Sequence, residues 1–308
     1  MEKIATRMAY GQALQDLGEK YDFIVMDADL SGSTQTAMFA KKFPERFFNC
    51  GIAEQNMLSV AAGIATTGKP VFVSSFAMFA VGRAYEQIRN SVCYPRLNVK
   101  ICASHAGVTV GEDGATHQYC EDLGVLRTIP NLMVISPADA VEAYACIEEV
   151  LKYDGPVYVR LGRYAVPTVF DKETYKFQFG KAVPICEGGD AVVFATGIML
   201  AAALEAKDIL AEEGINISVV NVHTIKPIDK EVVVKYATKT GRVVTAEEHT
   251  IVGGLGSAVA EVLSENAPTK MKRVGMNDRF GTSAPAGVLL EKYNLNAAAI
   301  VKAVKELM

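Results

Sequence analysis

Residues 99–118 read VKICASHAGVTVGEDGATHQ, a short apolar run that passes directly into a polar, glycine-rich loop. An apolar run of this length that ends in a loop is typical of a strand buried on both faces. Such strands occur mainly in parallel sheets that helices cover on both sides. In open parallel sheets ligands bind beyond the carboxyl ends of the strands, where this loop begins. The stretch therefore predicts a parallel sheet with a functional loop at its carboxyl edge.

Similar apolar runs lie on both sides of this stretch and alternate with helical patterns. In the first half they predict strands at 23–26, 70–73, 99–103, 132–135 and 157–160, and helices at 6–20, 54–67, 83–92 and 138–152. In the second half they predict strands at 191–195, 217–221, 242–245 and 272–274, and helices at 201–213, 230–236, 256–265 and 297–307. This alternation predicts an α/β protein with two consecutive doubly wound domains and mostly parallel sheets.

A polar, broken segment separates the two halves and ends in the turn-forming sequence EGGD at 187–190. Clusters of glycine and acidic residues between periodic segments indicate a connection. We expect a first domain at 1–170, a linker at 171–189 and a second domain at 190–308. A chain of 308 residues is long enough for about two domains.

Composition excludes several classes of function. The net charge of −4 is too small to indicate binding to nucleic acid or to an anionic membrane. Six cysteines occur without a CxxC pair, which favours buried free thiols in a reducing compartment. Residues 1–12 lack the apolar region of a signal peptide, and no run approaches the ~18 apolar residues of a membrane span. A cytoplasmic location is therefore expected.

Two segments of the first half could form a binding slot. In GIAEQN, at 51–56, Glu54 begins an alanine-rich helix. It could simply favour the helix dipole, or it could be a buried carboxyl that hydrogen-bonds a ring nitrogen. In SFAMF, at 75–79, Phe76 and Phe79 lie three residues apart. They could be core residues, or they could line an apolar slot for a flat ligand.

The loop after the strand at 99–103 is the richest candidate. It contains His105, Glu112, Asp113 and His117 together with several glycines. Their spacing fits no common zinc pattern, so metal binding is disfavoured. Acid–base chemistry and recognition of substrate hydroxyl groups fit these side chains better.

Two arginines follow the strand at 157–160, in the sequence RLGR. Arg160 and Arg163 could be solvated charges or ion-pair partners, or they could bind phosphate through bidentate hydrogen bonds. In the second half the sequence GGLG at 253–256 fits neither a dinucleotide fingerprint nor a P-loop. His223 and His249 are most simply structural.

Taken together, GIAEQN, FAMF, SHAGVTVGEDGATHQ and RLGR resemble the transketolase family in their order and approximate spacing. The resemblance is strongest over 5–167, and GEDGATHQ is its most specific element. It implies a pyrimidine-binding domain followed by a C-terminal domain. It also implies thiamine diphosphate as cofactor and the transfer of a two-carbon ketol unit between sugar phosphates.

The resemblance further implies roles for individual residues. Glu54 would hydrogen-bond N1′ of the aminopyrimidine, and the cofactor-binding set would be Glu54, Phe79, Phe76, Asp29 and Ile52. The catalytic set would be Glu54, His117 and His105. The substrate-binding set, in which Asp113 binds a sugar hydroxyl and the others hold phosphate, would be Asp113, His105, Arg163, Arg7 and Ser33.

Two departures from the family pattern stand out. Gly82 replaces an aromatic residue that is frequent near the pyrimidine. No GDG sequence of the kind that binds diphosphate and Mg²⁺ occurs in the chain. We therefore expect no metal ligands in this chain and a partner, an N-terminal transketolase subunit that holds Mg²⁺ and the diphosphate, in an α2β2 assembly. The second domain carries no motif with recognisable chemistry and is expected to support assembly.

Other functions remain open at this point. A β subunit of a 2-oxo-acid dehydrogenase is disfavoured by the loop with His105, Asp113 and His117, which suits a sugar phosphate. A deoxyxylulose-phosphate-synthase-like half usually has Asp-Arg where Ser104-His105 stands. A transketolase specialised for a branched or sulfonated sugar is a further alternative. A non-catalytic interaction subunit would have no physical need for Glu54.

Overall fold

The computed structural model describes residues 2–308, whose strands form sheets of seven, five and two strands. The first-half strands are β1 (Lys3–Ala5), β2 (Ile24–Asp27), β3 (Phe47–Asn49), β4 (Val71–Ser74), β5 (Val99–Ala103), β6 (Met133–Ile135), β7 (Val157–Arg160) and β8 (Ala165–Pro167). The first-half α-helices are α1 (Thr6–Leu17), α2 (Ser31–Thr34), α3 (Ala37–Lys42), α4 (Glu54–Ala65), α5 (Asp122–Arg127) and α6 (Ala140–Lys152).

The second half continues the alternation of strands and helices. Its strands are β9 (Val183–Cys186), β10 (Ala191–Ala195), β11 (Ile217–Asn221), β12 (Thr224–Lys226), β13 (Arg242–Thr250) and β14 (Lys270–Met276). Its α-helices are α7 (Met199–Glu212), α8 (Lys230–Thr240), α9 (Leu255–Asn266), α10 (Ala286–Lys292) and α11 (Ala297–Lys305). The predicted α/β class, with two consecutive domains of mostly parallel sheets, is confirmed.

The seven-stranded sheet has the order β12-β6-β7-β5-β4-β2-β3 and is parallel except at β12. Its central strands are buried on both faces, as their apolar runs require. Even Lys100 in β5 is buried, because its Nζ donates to the carbonyl oxygens of Tyr153 (2.6 Å) and Gly155 (2.7 Å). Burial lowers the pKa of Lys100 to about 7. The edge strand β12 belongs to the second half of the chain, so the two halves share this sheet.

The five-stranded sheet has the order β14-β13-β10-β11-β9, and only β9 runs antiparallel to its neighbour. Residues 183–186, expected within the linker 171–189, thus form an edge strand. An edge strand has one partner, and β9 is only partly buried. Its short apolar run contains Pro184, which has no N–H to donate and is tolerated at an edge but not in a central strand. The largest hydrophobic core is continuous between the halves, since Val73 and Ile101 belong to the same cluster as Phe194.

The chain is helical over most of the predicted helix at 83–92, but its geometry is not that of an ordinary α-helix. The chain there forms two π-helical segments, Met78–Arg83 and Gln87–Cys93. A π-turn contains more residues than an α-turn and so changes where side chains point, which is why such turns are frequent at functional sites. Here the first segment carries Phe79 and Arg83. No helix among residues 2–308 is both long enough and apolar enough to cross a membrane.

Candidate active site at the carboxyl edge of the first sheet

The segments that follow β2, β3, β4, β5 and β7 meet at one edge of the seven-stranded sheet. Because these strands are parallel, their carboxyl ends all lie on this edge. Nearly all side chains predicted from the sequence to form the site lie on these segments. The exception is Arg7, which belongs to α1 and donates from Nη1 to the carbonyl oxygen of Ser33 at 2.7 Å.

Glu54 is the first residue of α4 and is only 4 % exposed. Because Glu54 lies in the first turn, its carboxylate is near the positive end of the helix dipole. The preceding Ala53 has no side chain that could cap the helix. One cation faces it: Nη1 of Arg83 is 3.1 Å from Oε1 and 3.4 Å from Oε2. The carboxylate is therefore largely removed from water and has a planar, hydrogen-bond-donating group beside it.

Two phenylalanines form a flat apolar surface next to Glu54. The rings of Phe76 and Phe79 lie 5.8 Å apart and are inclined by 17°. His105 stacks on Phe76 at 3.7 Å, and His117 meets Phe79 edge-on at 5.2 Å. The guanidinium of Arg83 lies 4.3 Å above the Phe79 ring. The structure thus brings the predicted aromatic pair and both predicted histidines together.

His105 has a restricted position. Its backbone adopts φ 57°, its Nδ1 lies 2.8 Å from Oγ of Ser104, and its side chain is 3 % exposed. Burial, and then the charges of Arg7 and Arg163, lower the pKa of His105 to about 3. The imidazole is therefore neutral at ordinary pH, and it can offer a hydrogen bond but no charge.

Arg7 and Arg163 form a basic pair beside this histidine. Burial, and then the nearby Arg163, lower the pKa of Arg7. The buried Nε of Arg7 has no hydrogen-bond partner among residues 2–308. Arg163 donates to the carbonyl oxygen of Val110 and lies 3.6 Å from Oδ2 of Asp113. Two neighbouring cations, one of which has a buried donor without a partner, are suited to an anionic ligand.

The glycine-rich loop owes its shape to backbone conformations that side chains disfavour. Gly107, Gly111 and Gly114 have φ values of 81°, 87° and 78°. Gln118 then ties the loop to the second domain, because its Nε2 donates to the carbonyl oxygens of Gly111 (3.2 Å) and Thr282 (2.9 Å). Asp113 and His117 therefore stand on a loop that both domains hold.

Asp29 and Ile52 differ in how far this chain positions them. Asp29 has φ 65° and is paired with Asn49, whose Nδ2 donates to Oδ1 of Asp29 at 3.0 Å. The Ile52 side chain is 76 % exposed, so most of its surface contacts nothing in this chain. Its role at the cofactor stays a prediction.

The sequence patterns did not indicate Asp27, although it shapes the turn that carries Ser33. Asp27 is fully buried at the end of β2 and accepts hydrogen bonds from the Leu30 N–H (2.6 Å) and from the hydroxyls of Thr34 (2.7 Å) and Thr36 (2.9 Å). Burial raises the pKa of Asp27. The available signal was an acid at the end of an apolar strand, followed by hydroxyl residues.

Arg160, left open by the sequence, is an ion-pair partner. It is buried, and its Nε donates to Oδ2 of Asp122 at 2.8 Å. The histidines of the second half, His223 and His249, are also buried. Among residues 2–308 no group of three or more His, Cys, Asp or Glu side chains could hold a metal ion.

Comparison with known proteins gives the same domain order. Residues 2–168 match the family model "Transketolase, pyrimidine binding domain", and residues 180–300 match "Transketolase, C-terminal domain". A putative transketolase C-terminal section from Methanocaldococcus jannaschii is 52% identical over 305 residues, which are 98% of this chain and 96% of that protein. A 6-deoxy-6-sulfo-D-fructose transketolase subunit from Clostridium sp. (strain MSTE9) is 44% identical over 307 residues, covering 99% of this chain and 95% of that protein.

A solved structure is equally similar over its whole length. It is described as a split gene transketolase in an inactive beta4 tetramer, and it superimposes with a TM-score of 0.92 at 54% sequence identity. The superposition covers 99% of this chain and 98% of that one. This chain therefore belongs to the transketolase family and contains that family's pyrimidine-binding and C-terminal domains.

Proposed function

We propose that this chain is the C-terminal subunit of a split transketolase, which transfers a two-carbon ketol unit between sugar phosphates with thiamine diphosphate. The observation that carries the proposal is the buried Glu54 carboxylate beside the ring of Phe79, with a flat cation on both. This pair of contacts is what an aminopyrimidine would need from the protein. The neighbouring Arg7 and Arg163 supply the charge that a sugar phosphate would need.

The residues fit the pyrimidine of thiamine diphosphate. The guanidinium of Arg83 is planar, stacks on Phe79 and donates to Glu54. An aminopyrimidine is also planar and can stack on the same ring while its ring nitrogen meets the same carboxyl group. Bound there, the cofactor would supply the nucleophilic carbon and electron sink that ketol transfer requires. Glu54 would hold the proton shared with N1′, and Phe76 and Phe79 would exclude water.

The remaining residues suit a sugar phosphate. Arg7, Arg163 and the neutral His105 would hold the phosphate, with Ser33 beside Arg7. Asp113 would accept a hydrogen bond from a sugar hydroxyl once substrate competes for Arg163. His117, at the edge of Phe79, would exchange protons with the substrate oxygens.

The proposal includes a partner chain. Mg²⁺ prefers near-octahedral oxygen ligands, and residues 2–308 present no group of three or more His, Cys, Asp or Glu side chains that could hold it. We infer that an N-terminal subunit supplies Mg²⁺ and the diphosphate site, in an α2β2 assembly. The descriptions of relatives as a "C-terminal section" and a "subunit" support this inference. Six free cysteines also support a cytoplasmic location.

Ketol transfer from xylulose 5-phosphate to ribose 5-phosphate tests the proposal directly. The assay would contain thiamine diphosphate and Mg²⁺, with this chain alone and with a co-purified partner that carries a GDG motif. Activity that requires both chains supports the proposal. Activity of this chain alone would overturn the partner claim, and the absence of ketol transfer to any sugar phosphate with the partner present would overturn the function.

A sulfonated sugar is a second candidate substrate. Arg7 and Arg163 would also bind a sulfonate, since a sulfonate, like a phosphate, has three oxygens that share negative charge and accept hydrogen bonds. The Clostridium relative is described as acting on 6-deoxy-6-sulfo-D-fructose. A comparison of kcat/KM for that donor and for xylulose 5-phosphate would decide between them.

A further inference from the structure

Strand β13 extends beyond its own sheet into the first domain. Its last residues, Glu247 to Thr250, are mostly buried, and the Thr250 N–H donates to the carbonyl oxygen of Cys120 at 2.7 Å. Two adjacent carboxylates and a histidine are therefore placed where the two domains meet. None of them has a role in the proposed reaction so far.

Glu248 connects this strand to the glycine-rich loop. Its side chain is 3 % exposed, and its Oε1 accepts a hydrogen bond from the backbone N–H of Thr109 at 2.7 Å. Its other oxygen, Oε2, lies 3.8 Å from Nη1 of Arg160. Nη2 of the same arginine donates to the Glu248 carbonyl oxygen at 2.8 Å. The carboxylate is thus held by β7 on one side and itself holds the loop on the other.

The anchor of this arrangement lies in the first domain. Nε of Arg160 donates to Oδ2 of Asp122 at 2.8 Å, and the hydroxyl of Tyr158 donates to the same oxygen at 2.6 Å. All these groups are buried, so their separations are fixed by several short contacts rather than by a single ion pair. Glu248 therefore reaches the loop from a rigid support.

The loop is shaped to receive this carboxylate. A Cβ atom at Gly107 would overlap the Glu248 carboxyl group, so a side chain at that position would displace it. Thr109, whose backbone N–H donates this hydrogen bond, lies between His105 and Asp113 in the chain. Gln118 adds a second connection, from its Nε2 to the carbonyl oxygen of Thr282.

We propose that Glu248 is a positioning residue, through which the second domain sets the conformation of the loop that carries His105 and Asp113. Its effect on sugar binding rests on the proposed function, whereas its effect on the loop does not. The carboxylate acts through the backbone of Thr109 and touches neither substrate nor cofactor.

Glu247 provides a matched control. It is the neighbouring residue on the same strand and is equally buried. Its carboxylate accepts hydrogen bonds from the N–H groups of Leu255 (2.7 Å) and Gly256 (2.8 Å), at the start of α9. Replacement of Glu247 by alanine would likewise leave backbone N–H groups without an acceptor, but at the start of α9 rather than in the loop.

Hydrogen–deuterium exchange of the isolated chain tests the effect on the loop. Glu248→Ala leaves the Thr109 N–H without an acceptor, so exchange across 105–118 should rise about tenfold or more. Glu247→Ala should raise exchange near 254–266 instead. Glu248→Gln retains an acceptor and should keep most of the loop's protection. Unchanged exchange of the loop in Glu248→Ala, or an equal rise in Glu247→Ala, would overturn the proposal.

Glu248→Asp is the second variant if Glu248→Ala does not fold. It keeps a charge beside Arg160 but is one methylene too short to reach Thr109, so it should also raise exchange across 105–118. Protection of the loop equal to that of the unaltered chain would count against the proposal.

The kinetic measurement uses the chain assembled with its partner. Glu248→Ala should raise KM for the sugar phosphate about tenfold, with Glu248→Gln restoring most of the affinity, while Glu247→Ala changes KM little. If the complex of the unaltered chain with its partner shows no ketol transfer, the proposed function is refuted. The positioning role of Glu248 is then tested by hydrogen–deuterium exchange alone. Normal ketol transfer with unchanged KM in Glu248→Ala would refute the positioning role alone.

Discussion

Arg83 and Glu54 form an ion pair in the aromatic slot, with Nη1 3.1 Å from Oε1. The same guanidinium lies on the face of Phe79. The guanidinium therefore contacts Glu54 and Phe79, the two side chains that would bind the aminopyrimidine in the proposed function. Arg83 is half exposed and Glu54 is buried, so the arginine is the partner that can move away. Binding of the cofactor would require this movement.

Replacement of Arg83 should accordingly tighten cofactor binding. An ion pair with one exposed member contributes about 0.5–1 kcal/mol, so Arg83→Met should lower the Kd for thiamine diphosphate about two- to fivefold. Isothermal titration calorimetry of the two-chain complex measures this change. Arg89→Ala, at an exposed arginine of the next π-helical segment, is the control and should leave Kd unchanged. Weaker binding by Arg83→Met would mean that the arginine assists the cofactor.

Glu54→Gln should cut kcat severely while the fold survives. The amide can form a hydrogen bond but cannot exchange a proton with N1′. A positioned acid–base group typically raises the reaction rate about 10²–10⁴-fold. Steady-state kinetics measure the loss, and circular dichroism checks the fold. Glu86→Gln, which changes an exposed glutamate nearby, should have no effect. Near-normal turnover of Glu54→Gln would exclude the assigned role.

Arg163→Ala should discriminate between phosphorylated and non-phosphorylated donors. Loss of one charge-assisted hydrogen bond costs about 1.5–3 kcal/mol, which corresponds to about a 10- to 150-fold rise in KM for a sugar phosphate. Donors without phosphate should be little affected, because they make no contact with the guanidinium. Equal losses on both kinds of donor would show that Arg163 supports the loop rather than the phosphate.

His105 predicts a dependence of stability on pH. Burial and the neighbouring arginines lower its pKa to about 3, whereas an unfolded histidine has a pKa of about 6.5. Below about pH 6.5 the unfolded chain therefore takes up a proton that the folded chain refuses until about pH 3. The folded state loses stability as pH falls through this window, and this residue alone accounts for about 1.4 kcal/mol at about pH 5.5.

Removal of this histidine should weaken that dependence. Between about pH 7.5 and 5.5, His105→Asn should lose about 1.4 kcal/mol less stability than the unaltered chain. Urea unfolding at the two pH values gives both free energies. If the two proteins lose the same amount, His105 is not kept neutral by its surroundings.

The sequence alone was sufficient for the parts of the fold that repeat a simple pattern. The strands Val99–Ala103, Val157–Arg160, Ala191–Ala195 and Ile217–Asn221 have the predicted bounds. Each is a mostly apolar run buried on both faces, and such burial requires apolar residues at consecutive positions, which the sequence shows directly. The candidate site residues were also recognisable, because parallel strands place the segments that follow them on one edge.

Pairings between distant residues were decided only by the tertiary structure. Strand β12 leaves the second half of the chain to join the sheet of the first, and the Thr109–Glu248 hydrogen bond joins residues 139 positions apart. The strand predicted at 242–245 continues to Thr250 in the structure. The sequence did not indicate the extension because two glutamates, Glu247 and Glu248, are usually surface residues, whereas here both are buried.

The same distinction applies within the site. Glu54, Phe79 and His105 could be chosen from the residue types and motifs around them. The presence of Arg83 between Glu54 and Phe79 could not, because a π-helical segment that no sequence pattern indicated determines where its side chain points. The sequence thus determined which chemical groups this protein can use. The tertiary structure decided which of those groups touch, since contact depends on distances that no local pattern encodes.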